Sequence, residues 1–94
     1  MPSVRATAVC WISDEPQPGW IEVRLLLASG LSAALFDKPP IFGIDARFEG
    51  SVPIAIDCDV VEDHGDSAVI ELHNGIKDEH GNARFEVSAS MLIR

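Results

Sequence analysis

Apolar and polar side chains alternate with a period of two over most of the chain, the repeat of a strand whose two faces meet different surroundings. From Val4 to Ile12, one face reads Val4, Ala6, Ala8, Cys10 and Ile12, the other Arg5, Thr7, Val9 and Trp11. Trp20 to Ala28 repeats the pattern, with Ile21, Val23, Leu25 and Leu27 set against Trp20, Glu22, Arg24 and Leu26. Val52 to Val61 puts Ile54, Ile56, Cys58 and Val60 on one side and Asp57 and Asp59 on the other. Ala68, Ile70 and Leu72 follow at strand spacing. In the closing segment Phe85, Val87, Ala89, Met91 and Ile93 are expected inward, and Arg84, Glu86, Ser88 and Ser90 outward.

Chain breakers separate these runs. Ser13-Asp14-Glu15-Pro16-Gln17-Pro18-Gly19 reads as a loop, because proline removes a ladder donor and glycine permits a tight turn. Glu62-Asp63-His64-Gly65-Asp66 and Asp78-Glu79-His80-Gly81-Asn82 read as glycine-containing turns. Arg24 to Phe36 is ambiguous. Its leucines and alanines favour a helix by propensity, whereas Ala28-Ser29-Gly30 interrupts it and the alternation from Trp20 runs into it. The expected form is a hairpin, with Leu31–Phe36 returning. Asp37-Lys38-Pro39-Pro40 ends that strand, and Ile41–Ser51, with Phe42 and Phe48, is expected to be a loop with a short extended piece. The whole predicts one all-β domain over residues 1–94, a small antiparallel barrel or rolled sandwich of five or six strands.

Length and composition sharpen this picture. A chain of 94 residues makes one domain, and its 47% hydrophobic content suffices for a single core. Fifteen acidic against seven basic residues give a formal charge of −8, which repels phosphate backbones and anionic membranes. Nucleic acid and membrane are therefore not expected partners; a basic protein or a cation suits the charge better. Met1-Pro2-Ser3-Val4-Arg5 lacks the charged and apolar regions of a signal peptide, and no apolar run nears the ~20 residues of a membrane span, so the expected location is cytoplasmic. Cys10 and Cys58 stand among apolar neighbours and are expected as two reduced core thiols.

Candidate chemistry is sparse. Asp57 to Asp66 is dense in carboxylates, but the calcium-loop pattern fails at Val61, Glu62 and Ala68. His64, His73 and His80 are not spaced as a zinc-ligand pair, no Gly-x-Ser-x-Gly elbow or phosphate-binding glycine loop occurs, and no cofactor or metal is expected. One acid–base arrangement is conceivable. If Val60 pairs with Ala68, Asp57 lies opposite Glu71 and Ala55 opposite His73, and facing carboxylates would raise one pKa.

The aromatic residues carry the sharper expectation. A hairpin of the first two strands sets Trp11 opposite Trp20 and Val9 opposite Glu22, with Leu26 further along the same side. Such an outward tryptophan pair is an anchor for a protein partner or a second copy. Trp11, Trp20, Val9 and Leu26 are thus the candidate binding residues of a non-catalytic module. An alternative is an immunity- or antitoxin-like inhibitor of a basic toxin, using Asp57, Asp59, Glu62, Asp63 and Asp66 as an acidic face. A small enzyme or metal-binding protein is the third reading.

Gly19-Trp20-Ile21-Glu22-Val23-Arg24, Phe36-Asp37-Lys38-Pro39-Pro40-Ile41-Phe42 and the closing strand Ala83 to Ile93 give the chain a further likeness. Over roughly half its length it resembles small uncharacterised bacterial all-β domains, in which a Gly-Trp-opened strand leads through a hairpin to an Asp-Lys-Pro-like turn. The resemblance implies the hairpin at Leu25–Phe36 and no activity.

Overall fold

A computed structural model describes residues 2–13, 19–44 and 50–94. Among the described residues seven strands follow in chain order: β1 Ser3–Ser13, β2 Trp20–Leu26, β3 Ser32–Asp37, β4 Val52–Asp63, β5 Ser67–Leu72, β6 Arg84–Ser88 and β7 Leu92–Ile93. They form one antiparallel sheet in the order β3-β2-β1-β4-β5-β6, with β7 pairing on β1, and the sheet curls into a half-barrel. The all-β expectation therefore holds, and Arg24–Phe36 is a hairpin rather than a helix, β2 pairing β3 from Ile21–Asp37 to Leu26–Ser32.

Alternation explains the inside. Val4, Ala6, Ala8, Ile21, Val23, Leu25, Leu35, Ile56, Cys58, Ile70, Leu72, Phe85 and Val87 all turn inward and are buried. Among the described residues, two further members of the core come from outside the strands. Phe42 closes the 3-10 turn Pro39–Phe42, and Ile76 sits in the connection between β5 and β6. Asp78 staples that connection. Its Oδ1 accepts the backbone N–H groups of His80 (2.9 Å) and Asn82 (2.8 Å), while Leu35 of β3 bridges to Asp78. The hairpin tip is tied in as well, since Ala28 N–H donates to the Glu86 carbonyl on β6 at 2.9 Å.

Three expectations are corrected here. The closing strand is not continuous: a 3-10 turn over Ala89–Met91 breaks it, and the turn exchanges the faces, so Ile93 pairs with Ser3 and is exposed. Val60 pairs with Ile70, not Ala68, because β4 runs on to Asp63 and the loop is only Gly65–Asp66, closed by His64 N–H to the Ser67 carbonyl at 2.9 Å. Gly65 at φ 90° supplies the positive φ that a tight hairpin needs at its first loop residue. Asp57 therefore does not face Glu71; Asp59 does. Cys10 is not a core thiol but is exposed, for a reason that lies in β1. Phe48 and the Pro-rich stretch 14–18 fall outside the described residues.

Candidate docking surface

β1 carries two bulges. It pairs β2 through Thr7–Arg24 and Ala8–Val23, then Cys10–Glu22 and Trp11–Ile21, then Ser13–Trp20. Val9 and Ile12 are the extra residues. The register that would set Trp11 opposite Trp20 is the one found at Thr7 and Ala8, and each bulge advances β1 by one residue. A one-residue slip exchanges the faces of a strand. Trp11 accordingly turns inward beside Ile21, half-buried against the core, while Cys10 turns outward opposite Glu22. The expected Trp11–Trp20 pair does not exist, and Val9 does not face Glu22.

Trp20 and Leu26 do share the outer face of β2, 37% and 47% exposed respectively. Between them Glu22 and Arg24 form an ion pair along the strand, the carboxylate half-buried. Phe36 on β3 stands directly opposite Glu22, and Ala34 opposite Arg24. Phe36 is also the diagonal neighbour of Trp20, within reach of an aromatic side chain across a ladder. The outer face of β1–β2–β3 is thus a band of Trp20, Phe36, Cys10, Ala34 and Leu26 crossed by one ion pair, with Leu31 exposed at the hairpin tip. Phe36 was not singled out from the sequence. The signal was present, since inward Ala33 and Leu35 require Ala34 and Phe36 to point the other way.

The other half of the sheet has a different character. Asp57 and Asp59 are exposed on the outer face of β4. Asp59 lies opposite Glu71 on β5, and Glu71 opposite Arg84 on β6. The two carboxylates do not stand alone, because His73 Nε2 is 3.0 Å from Asp59 Oδ1 and Arg84 Nε is 2.9 Å from Glu71 Oε1. A third bulge at Val61, between Val60 and Glu62, exchanges the faces beyond it, so that Glu62 stands opposite Val69 and Asp63 opposite the buried Ala68. Asp63 therefore leaves the outer face and lies at the strand end, where it accepts Gly65 N–H (3.0 Å) and the Arg94 guanidinium (3.0 Å). Those two donors, Gly65 first, hold its carboxyl below the ordinary value. Asp66 lies in the turn and is exposed. The five expected acids thus divide between a sheet face (Asp57, Asp59, Glu62) and a hairpin end (Asp63, Asp66).

Among the described residues no three of His, Cys, Asp and Glu are placed to share a metal ion, and no helix is long and apolar enough to cross a membrane. The chain matches no known family model, no curated protein and no solved structure. The functional reading therefore rests on these two outer faces. Of the two, the aromatic band offers what recognition requires, large rigid apolar area beside polar groups that are already paired. The Arg84–Glu71 ion pair and the His73–Asp59 contact cover part of the acidic half.

Proposed function

We propose that this protein is a non-catalytic binding module that docks a protein, or a second copy of itself, through the outer face of β1–β2–β3. One observation carries the reading: Trp20, Phe36 and Leu26 point out of the sheet together, around an ion pair that satisfies its own charges. Apolar anchors surrounded by paired polar groups release water on contact without stranding a charge. The test compares co-purification from the native host with the wild-type chain and with a Trp20→Ser/Leu26→Ser double variant. A partner, or a second copy, held at fixed stoichiometry by the first and lost by the second supports the reading, provided circular dichroism is unchanged.

The acidic half favours a second reading, an inhibitor of a basic protein. Asp57, Asp59 and Glu62 are exposed on one side of β4 in a chain of net charge −8, which speeds encounter with a cationic surface. Replacing Asp57 and Asp59 by Asn would then slow association and reduce its salt dependence, while Trp20→Ser would leave both unaltered.

A further inference from the structure

A shallow depression of about 410 Å³ lies on the outer side of the sheet where β4, β1 and β7 meet. Its lining is Arg5, Ala6, Pro53, Ile54, Ala55 and Ile93. The register explains why a hollow forms there. Ala55 stands opposite Arg5, so a methyl group occupies the position where a larger side chain would fill the surface. Pro53 flanks it on the next outward position of β4, and Ile93, turned outward by the break at Ala89–Met91, flanks it from β7. On its far edge β1 pairs β7 at Ser3 and Val4 and β2 from Thr7 onward, so Arg5 and Ala6 lie at a gap in the ladder.

Arg5 is also electrostatically unlike the other described arginines. Arg24 holds Glu22, Arg84 holds Glu71 and Arg94 holds Asp63. Among the described residues Arg5 makes no ion pair with a carboxylate, although the full sequence holds fifteen acidic residues. An exposed guanidinium beside an apolar hollow suits a ligand with an anionic head and an aliphatic tail. A carboxylate matches the planar fork of arginine bidentately. The volume falls at the small end of the roughly 300–1,000 Å³ of ligand pockets, which limits the tail to a short chain.

We infer that this depression binds an aliphatic carboxylate no longer than octanoate, its head on Arg5 and its tail over Pro53, Ala55 and Ile93. The site is separate from the aromatic band. The charge opposing it is that of Asp57, one outward position beyond Ala55 and diagonal to Arg5. Longer tails bind more tightly until the hollow is filled, by about three- to fourfold per methylene.

The test is a titration of the labelled protein with octanoate, followed by backbone amide resonances, with octylamine as the counter-probe. The expected result is saturable shifts centred on Arg5, Ala55 and Ile93. Affinity then falls at least tenfold in Arg5→Gln, rises in Asp57→Asn, and disappears in Ala55→Leu, which fills the hollow. Arg5 and Ala55 are exposed, and the spectra themselves report whether each variant is folded. No saturable shift, shifts centred elsewhere, equal affinity in Arg5→Gln, or equal binding of octylamine would each overturn the inference.

Discussion

Trp20 on β2 and Phe36 on β3 face the same side of the sheet as diagonal neighbours, whereas Trp11, nearer in the first hairpin, faces the other way. The two indoles consequently live in different surroundings. In acrylamide quenching, Trp11→Phe should leave the more readily quenched emission and Trp20→Phe the less accessible one. Trp20→Ser should shift stability by no more than about 0.5 kcal/mol, as at other surface sites. Trp11→Ala, which removes contacts with the core, should cost up to about 3 kcal/mol. Equal quenching of the two variants would mean that the bulges at Val9 and Ile12 are absent.

The same bulges separate the thiols. Cys10 is exposed and Cys58 buried, its pKa raised by burial and then by the charges of Asp59 and Asp57. Since the thiolate is the reactive form, Cys58 is hindered both sterically and electrostatically. One thiol of the native protein should react rapidly with an aromatic disulfide reagent, and the second only on unfolding. Cys10→Ser should remove the fast phase, leaving the slow one intact.

Most of the fold was legible from alternation, because in β2, β4 and β5 one side of the strand is consistently apolar and the other is interrupted by charged residues: Glu22 and Arg24, Asp57 and Asp59, and Glu71. The register of β1 was not. Val9-Cys10-Trp11-Ile12 is apolar on both sides, so the pattern stays acceptable whichever residue is bulged, and nothing in it distinguishes Trp11 inward from Trp11 outward. The end of β6 was obscured in the same way. Ala89, Met91 and Ile93 keep the strand period across a segment that the chain turns through, with Met91 and Leu92 both left half-buried against the core. For the candidate surface, Trp20 and Leu26 were readable from β2 alone, while Phe36 required the neighbouring strand.

Ile76 tests the part of the core that no periodicity marks. It is fully buried although it lies between strands, in the connection stapled by Asp78. Ile76→Ala should destabilise by about 2–5 kcal/mol, read from the urea midpoint at constant slope. A loss below 1 kcal/mol would be characteristic of a surface residue rather than a core one.

Acid should loosen two local structures. At Asp78, partial burial raises the pKa but is outweighed by hydrogen bonds from the Asn82 and His80 backbone and the Asn82 side chain, so the net shift is downward. Asp63 is lowered by Gly65 N–H and Arg94. A carboxyl whose folded pKa lies below its ordinary 3.8 stabilises the fold fully above that pH and ceases to do so as pH falls through the folded value. Stability should therefore fall below about pH 4, and Asp78→Asn should lower stability at neutral pH while flattening that acid limb. An unchanged limb in the variant would show that the staple is not titrating.

The docking proposal is tested most directly by a photoreactive benzophenone residue placed at Trp20 in one variant and at Glu71 in another, both irradiated in the native host. A discrete crosslinked species, to a partner or to a second copy, is expected from position 20 and none from position 71. Crosslinking from position 71 alone, or from neither, would contradict it.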